Sequence, residues 1–288
     1  MADRLDVRKT YKLFVGGAFP RSESGRTYEI AGSDGSVLAH APLASRKDVR
    51  DAVAAARGAQ EKWAARTAYN RAQILYRVAE MLEGRRAQFV GELAACGADD
   101  PTAEVDLAID RWVWYAGWAD KIAQVAGGVN PVAGPFFNIS VPEPSGVVTV
   151  VAPDQPALLG LVSRVAPAIV SGNTVVALAS ESAPLPALSF GEVLATSDVP
   201  GGVVNVVSGT RSELVTWLAG HRDVDVVDLV GVDDDDQRTE ARRSAADAVT
   251  RVVGPRPGDD DWFTDRAQSP DLVLGSCEIK TVWHPKGR

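Results

Sequence analysis

The sequence predicts an α/β fold built on a parallel β-sheet, and two observations carry this prediction. Three short runs rich in β-branched residues, at 147–151, 174–178 and 203–207, alternate with apolar stretches of helical length at 157–170 and 185–195. Helices of this length between strands form right-handed crossovers, which make the neighbouring strands parallel. Ligands of such sheets bind at the carboxyl ends of the strands, so the residues that follow each run are the first candidates for a functional site.

The N-terminal region is predicted to begin with two strands and a capped helix. The strands are expected at 11–15 and 27–30. Ser45 and Asp48 have the spacing of a capping box, in which each side chain accepts a hydrogen bond from the other residue's backbone. Apolar residues recur at helical intervals from there to Trp63. A helix is therefore expected to start directly after Ser45.

Two further helical regions follow. The first has apolar residues at helical spacing over 74–82, ends or bends at Gly84, and the pattern resumes to Leu93. The second begins at Pro101, a residue favoured in the first turn of a helix, and is expected to run to about Gln124. Either helix packing, which we favour, or a ligand-binding box would explain its cluster of aromatic side chains. The cluster consists of Trp112, Trp114, Tyr115 and Trp118.

The remaining elements flank or follow the α/β region. They are, in chain order, a strand at 136–141, a helix at 212–219, a fourth parallel strand at 225–230, one helix within 238–252, an irregular linker at 254–269 and a terminal strand at 272–283.

The charge balance excludes one class of partner. The chain of 288 residues carries a formal net charge of -8, with acidic runs at 233–236 and 259–261. Such a surface repels phosphate backbones, so we expect no nucleic-acid partner. A hydrophobic content of 45% is typical of a globular protein, and no apolar run approaches the ~20 residues that span a bilayer. We therefore expect no membrane partner.

Cysteine and histidine usage points to a cytoplasmic protein without a metal site. Cys96 and Cys277 lie far apart in sequence and form no disulfide framework, which suits a reducing compartment. The first ten residues lack the apolar core of a signal peptide. The histidines, at positions 40, 221 and 284, are scattered without metal-ligand spacing.

A family resemblance rests on a series of segments in a fixed order. They are KLFVGGAF at 12–19, DVRDAVAAARGAQEKW at 48–63, RAQILYRVAEMLE at 71–83, AEVDLAIDRWVWYAGWADKI at 103–122, PSGVVTVVAP at 144–153, PAIVSGNTVV at 167–176 and VPGGVVNVVSG at 199–209. From about Lys12 to Val232 the chain resembles the aldehyde dehydrogenase superfamily. The resemblance implies a Rossmann-like cofactor domain with N-terminal helices and a β oligomerisation arm.

The resemblance also implies a division of the chain into five parts. These are N-terminal strands and helices of the cofactor domain at 1–135, a first part of the arm at 136–149, a Rossmann-like βαβ core at 150–232, a short segment replacing the catalytic domain at 233–271, and a C-terminal oligomerisation strand at 272–288.

The family's catalytic residues have no counterpart in this sequence. In the family a cysteine thiolate attacks the aldehyde, hydride passes to NAD(P), and a glutamate activates the hydrolytic water. The Gly-Gln-x-Cys segment that supplies the nucleophile and the Glu-Leu-Gly-Gly-Lys segment that supplies the base are both absent. Cys277 lies beside Glu278, a carboxylate expected to raise the pKa of the thiol, and Cys96 is expected to be a small buried side chain. No catalytic residue is therefore expected.

The positions that hold the oxyanion and the cofactor are altered. The family's Pro-Trp-Asn is Pro153-Asp154-Gln155 here, and Gln155 is one methylene longer than the oxyanion asparagine. The family's Lys-Pro-Ser-Glu is Leu178-Ala179-Ser180-Glu181, so a leucine replaces the cofactor lysine. Glu181 remains as a candidate ligand of the adenosine ribose, or else as an exposed carboxylate at a helix entrance, which we favour.

The fourth predicted strand ends in an acidic run. The family's Phe-Thr-Gly-Ser, which opens a helix that faces the pyrophosphate, is Leu229-Val230-Gly231-Val232 here, and four aspartates follow at 233–236. Carboxylates at this point repel the phosphates that a helix N-terminus attracts. No cofactor is therefore expected, and any NAD(P) binding should be weak.

The retained arm suggests the function. In the family both halves of the arm add a strand to the catalytic domain of a neighbouring subunit; here they are Phe136 to Thr149 and Cys277 to Trp283. Strand addition is an established recognition mode. We expect a non-catalytic subunit that assembles with, and stabilises or regulates, a full-length aldehyde dehydrogenase, although the arms of two copies would also pair in a homo-oligomer. The alternatives are an NAD(P)-binding sensor and a residual NAD(P)-dependent aldehyde oxidoreductase.

Overall fold

The computed structural model describes residues 9–254 and 261–287. Its strands are β1 (Thr27–Ala31), β2 (Val37–Pro42), β3 (Gly128–Val129), β4 (Phe136–Pro144), β5 (Val147–Val151), β6 (Thr174–Leu178), β7 (Val204–Val207), β8 (Val226–Asp228), β9 (Arg251–Val253) and β10 (Cys277–Pro285). Its α-helices are α1 (Arg46–Ala64), α2 (Ala68–Glu83), α3 (Arg86–Ala95), α4 (Pro101–Ala116), α5 (Ile122–Ala126), α6 (Ala157–Val170), α7 (Leu185–Ala195), α8 (Arg211–Ala219), α9 (Asp235–Ala248) and α10 (Pro270–Gly275).

A five-stranded parallel sheet forms the centre of the molecule, in the order β7-β6-β5-β8-β9. The α/β fold and the four predicted parallel strands are confirmed. Every residue of β5 and β6 is buried, because helices cover both faces of the sheet. This burial explains why the strands are uniform β-branched runs in the sequence rather than alternating ones. All four predicted strands end at the same edge, where the candidate site lies.

Helix α6 is buried along its whole length. Its N-terminus is capped by Glu104 of α4, whose carboxylate accepts hydrogen bonds from the backbone N–H groups of Leu158 (2.7 Å) and Leu159 (3.2 Å). Burial raises the pKa of Glu104 in spite of these two bonds. A Cβ at Gly160 would lie 2.2 Å from Cγ of Pro153, so only glycine allows α6 to start this close to the end of β5.

The segment between β9 and β10 covers part of α6. Arg111 of α4 is almost completely buried and donates hydrogen bonds to the carbonyls of Trp262 (2.7 Å), Thr264 (3.0 Å) and Ala267 (3.2 Å). A fourth bond goes to Oγ of Ser163 on α6 (2.6 Å). A single guanidinium therefore ties two helices to this connecting segment.

The antiparallel arm is a three-stranded sheet in the order β10-β4-β3. β10 pairs with β4 along its full length, from Cys277 opposite Pro144 to Pro285 opposite Phe136. The first half of the arm ends at Pro144, because Val147–Val151 belongs to the parallel sheet rather than to the arm. Residues 147–149 of the predicted first half therefore lie in the parallel sheet.

The predicted helix from Pro101 to Gln124 is wrong in its second half. α4 ends at Ala116, and a turn separates it from the short α5. Gly117 follows the last helical residue and has a low helix propensity, which favours the break. The aromatic cluster packs in the core at Trp112 and Tyr115, as the helix-packing interpretation predicts.

The helix predicted at 238–252 is confirmed over 238–248, but its predicted bounds are wrong. α9 begins earlier, at Asp235, and ends at Ala248, because Val249 adopts a left-handed conformation with φ +61°. Residues Arg251–Val253 then form β9, a fifth parallel strand beside β8. The segment 233–271 is therefore partly an extension of the parallel sheet.

Three smaller predictions also differ from the structure. The predicted strand at 11–15 is reduced to isolated bridges, Phe14 with Val206 and Val15 with Ala18. The predicted strand at 272–283 is divided into α10 and β10. The linker predicted at 254–269 contains a 3-10 turn, Asp265–Ala267, and its residues 255–260 lie outside the described part. None of the helices described is long and apolar enough to cross a membrane.

The Ser45 capping box is confirmed and carries a testable consequence. Asp48 accepts hydrogen bonds from the backbone N–H groups of Ser45 (2.7 Å) and Glu23 (2.9 Å) and from Oγ of Ser22 (3.0 Å). Burial opposes ionisation of Asp48, but these hydrogen bonds outweigh burial and hold the pKa of its carboxyl below the ordinary value.

We expect Asp48→Ala to lower the free energy of unfolding by about 1–3 kcal/mol at pH 7, because four donors, on Ser22, Glu23 and Ser45, lose their acceptor. Since the pKa is lowered on folding, this contribution is complete above the ordinary carboxyl pKa and is lost as the pH falls through the folded value. Urea denaturation at pH 7 and at pH 3 measures the difference. Asp51→Ala, at an exposed position of the same helix, is the control, and an equal loss in both variants would contradict the assignment.

Candidate functional site

The candidate site is the edge of the parallel sheet where β5, β6, β7 and β8 end. Three charged residues from different connections meet there: Asp154 after β5, Glu181 after β6 and Arg211 at the start of α8. The parallel topology brings them together, because each connection leaves the sheet at the same edge. The chemistry of this edge follows from how the three side chains are paired.

Arg211 is the central group. Its guanidinium donates hydrogen bonds to Oδ2 of Asp154 (2.7 Å) and to the carbonyl of Ala152 (2.7 Å), and its side chain is only 11% exposed. The charge of the arginine is thus neutralised by the chain itself. Two of its three nitrogens therefore have acceptors within the chain, whereas Nε is buried and has no hydrogen-bond partner among the described residues.

Asp154 forms the second half of the cluster. Its Oδ1 accepts hydrogen bonds from Oγ of Ser180 (2.9 Å) and from the backbone N–H of Glu181 (2.9 Å). Burial would raise the pKa of Asp154, but the charge of Arg211 and these hydrogen bonds outweigh it and hold the pKa below its ordinary value. Asp154 therefore ties the end of β5 to the turn after β6.

Glu181 is half-buried and bonded within the fold. Its Oε2 accepts a hydrogen bond from the backbone N–H of Arg211 (2.7 Å), so the carboxylate caps the N-terminus of α8. The interpretation as an exposed carboxylate is therefore wrong, and the role of ribose ligand stays a prediction. Tyr28 lies beside the cluster: burial, and then the charges of Glu181 and Asp154, raise the pKa of its phenol.

Gln155, the other candidate site residue, is exposed in the turn between β5 and α6 and does not join the cluster. Sequence reasoning missed Arg211, which is 57 positions from Asp154 along the chain. One signal for it was present, namely an arginine in the first turn of the helix after the third strand.

The end of β8 carries negative charge, as the sequence predicts. Asp234 is the N-cap of α9 and accepts a hydrogen bond from the backbone N–H of Gln237 (2.7 Å). Asp235 and Asp236 occupy the first turn of the same helix. The chain's own carboxylates therefore satisfy the positive end of the α9 dipole.

Neither cysteine lies at the sheet edge or has the properties of a nucleophile. Burial, and then the carboxylates of Glu92 and Glu104, raise the pKa of Cys96 to about 11. The thiol of Cys277 is buried and donates to the carbonyl of Val273 (3.3 Å). Burial raises its pKa, while the neighbouring Arg251 and Arg71 lower it. The sequence predicts that the carboxylate of Glu278 raises the pKa of Cys277, but in the structure burial of the thiol raises it instead. Both thiols remain protonated near neutral pH.

Comparison with known proteins assigns the family. The sequence profile of the aldehyde dehydrogenase family matches residues 19–254, most of the chain. This chain belongs to the aldehyde dehydrogenase family. Cytosolic 10-formyltetrahydrofolate dehydrogenase of Pongo abelii is 36% identical over 242 residues, which cover 80% of this chain and 26% of that protein. The putative aldehyde dehydrogenase DhaS of Bacillus subtilis (strain 168) is 29% identical over 282 residues, covering 95% of this chain and 54% of that protein.

Solved aldehyde dehydrogenases share the fold. The NAD+ complex of the enzyme from Bacillus cereus matches with a TM-score of 0.80 at 27% identity, covering 85% of this chain and 50% of that chain. PnpE from Pseudomonas sp. WBC-3 gives a TM-score of 0.80 at 28% identity with the same coverage. The chain thus spans about half the length of these two solved proteins and about a quarter of the formyltetrahydrofolate dehydrogenase.

The residues of this aldehyde dehydrogenase family member do not fit a bound dinucleotide. Leu178, at the position of the cofactor lysine, is fully buried in the core. Arg211 is paired with Asp154, and the N-terminus of α9 already has three aspartates from 234 to 236. In the part of the chain that the structure describes, no group of three or more His, Cys, Asp or Glu side chains is placed to hold a metal ion.

The Arg211–Asp154 pair is expected to contribute to stability rather than to ligand binding. Arg211→Ala should lower the free energy of unfolding by about 1–3 kcal/mol at pH 7. This is less than the loss for a fully buried ion pair, because Asp154 is 37% exposed and solvent screens the interaction. Removing the guanidinium also raises the pKa of Asp154, so the loss of stability on acidification begins at a higher pH than in the wild type.

Thermal unfolding of both proteins between pH 3 and 8 measures this effect. Arg242→Ala, at an exposed position on α9, is the matched control. An Arg211→Ala protein as stable as this control at every pH would show that the pair is energetically neutral.

Proposed function

We propose that this chain is a non-catalytic subunit that assembles with a full-length aldehyde dehydrogenase and stabilises or regulates it. The observation that carries the proposal is the antiparallel arm, which is complete although the segments that supply nucleophile and base in the family are missing from the sequence. In the family this arm completes the sheet of a neighbouring subunit. A location in the cytoplasm is part of the proposal.

The outer strand of the arm supports docking by strand addition. β10 lies at the edge of its sheet and, among the described residues, pairs only with β4. All its residues after Cys277 are exposed. An exposed edge strand offers a row of backbone donors and acceptors, which invites pairing with another chain.

The side chains of the arm add an apolar face. In the register of the arm, Ile139 of β4 lies opposite Val282 of β10 and opposite Val129 of β3. Residues that are directly opposite each other share a face, and Phe137, two positions from Ile139, lies on the same face. Val129, Phe137 and Val282 are all exposed. Apolar side chains grouped on one face of an edge sheet are typical of a protein interface.

The state of the sheet edge weighs against the two enzyme-like alternatives. Arg211 and Glu181 each already bond to other groups of the chain, which weighs against their use as cofactor ligands. Both thiols have raised pKa values. An assembly role requires none of these groups, whereas a sensor needs a dinucleotide site and an oxidoreductase needs a nucleophile as well.

Co-expression with full-length aldehyde dehydrogenases from the same genome tests the proposal. We expect co-elution on size exclusion with at least one of them. Val282→Asp should weaken co-elution at least tenfold, because docking would bury a charge. Val113→Asp on α4 is the control, because Val113 is 41% exposed and Val282 is 48% exposed. A chain that elutes at twice its 30.5 kDa mass and joins no full-length member would instead show a homodimer.

Calorimetric titration with NAD+ and NADP+ separates the proposal from the alternatives. We expect no heat of binding at micromolar concentrations, because the positions that would hold the pyrophosphate are acidic or already paired. Micromolar binding of either nucleotide would favour the sensor. NADH production by the isolated chain with an aldehyde would establish a residual oxidoreductase and overturn the proposal.

A further inference from the structure

A cavity of about 430 Å³ lies between the N-terminal segment and the β1–β2 hairpin. Its wall is formed by residues 9–11, 21–22, 25–27, 38–40 and 42. This volume is within the range of small-molecule sites. None of its lining residues belongs to the cluster of Asp154, Glu181 and Arg211, or to the arm.

The charge of the cavity is opposite to that of the chain. Its lining includes the cationic residues Lys9, Arg21 and Arg26 and contains no carboxylate. Lys9 forms an ion pair with Glu192 (2.9 Å). Arg21 and Arg26 are exposed, and the structure gives their side chains no hydrogen bond or ion pair within the described residues. Two unpaired guanidinium groups on a chain of net charge -8 form a local site for an anion.

The rest of the lining is apolar. Tyr11, Leu38, Ala39 and Pro42 contribute to the wall of the cavity. A bare inorganic anion would leave this wall in contact with water. A ligand with a charged head and an apolar body would satisfy the arginines and cover the apolar wall at the same time.

The segment that carries the two arginines is held in place. Oγ of Ser22 donates to the carbonyl of Leu43 (2.7 Å) and to Asp48 (3.0 Å), and the backbone N–H of Leu43 donates to the carbonyl of Arg26 (2.9 Å). The backbone between Arg21 and Arg26 is therefore fixed to α1 and to Leu43, the residue after β2, before any ligand binds. A preorganised site loses less entropy on binding.

We propose that this cavity binds a small carboxylate with an apolar body, such as an aromatic or medium-chain aliphatic acid. The two oxygens of a carboxylate match the paired N–H donors of a guanidinium, and the apolar body lies against Tyr11 and Leu38. Resting on the proposed function, the site would let the subunit respond to the acid that an aldehyde dehydrogenase partner produces from its aldehyde.

Calorimetric titration of the full chain with benzoate and with hexanoate tests this proposal. We expect saturable binding of one ligand per chain. Arg26→Gln and Arg21→Gln should each weaken binding at least about tenfold, the loss of a charge-assisted hydrogen bond. Arg242→Gln on α9 is the control and should bind as the wild type does. The melting temperatures without ligand should stay unchanged, because both arginines are exposed.

Comparison ligands separate the contributions of charge and apolar contact. Benzyl alcohol, which has the ring without the charge, and inorganic phosphate, which has the charge without the ring, should both bind at least tenfold more weakly than benzoate. Equal binding of benzyl alcohol, tighter binding of phosphate, or no saturation with either acid at millimolar concentration would overturn the proposal. Since these titrations use the chain alone, their result is independent of whether the chain co-elutes with a full-length enzyme.

Discussion

The complete burial of α6 is the constraint on which the rest of the structure depends. A helix that exposes no face to water must have every polar group at its ends satisfied from inside the protein. Glu104 supplies the acceptor at its N-terminus, and Arg111 bonds to Ser163 in its second turn. The parallel sheet, α4 and the connecting segment after β9 all pack around it. The position of α6 in turn fixes the end of β5, and with it the charged cluster at the sheet edge.

At this sheet edge, where cofactors bind in related folds, the charged residues of the chain bond to one another. Arg211 contacts the end of β5, and the backbone N–H of the same residue bonds to Glu181 after β6. The connections that would surround a ligand are thereby tied to each other. Parallel strand ends present free backbone groups and helix N-termini whether or not a ligand binds, so charged side chains of the protein can occupy them. The family's fold is thus retained, while the charged residues at this edge are bonded to one another.

The fold was largely predictable from the sequence because its central elements are long and regular. The bounds of α6 and α7 and of β5 and β6 follow directly from the apolar patterns. β9 was missed because a strand of three residues has too few positions to show a pattern, and its pairing with β8 depends on residues 25 positions earlier, as between Arg251 and Val226. The division of α4 from α5 depends on one glycine, which a helix often tolerates.

The site was less predictable, since its contacts join distant segments. The order of strands indicated the correct edge of the sheet, and the substitution at Asp154 was visible in the motif. Its pairing with Arg211 could not be predicted, because the two residues are 57 positions apart and no local sequence pattern connects them. The cationic cavity is harder still, since three separated stretches of chain form it and none of them carries a recognisable motif.

The bonds of Arg111 have an evolutionary consequence. Three of its four acceptors are main-chain carbonyls, those of Trp262, Thr264 and Ala267. Every amino acid supplies the same backbone carbonyl, so most side chains between residues 262 and 267 can be substituted without loss of these bonds, provided that the backbone keeps its path. Related sequences should therefore preserve the arginine and the length of this stretch more strictly than its composition.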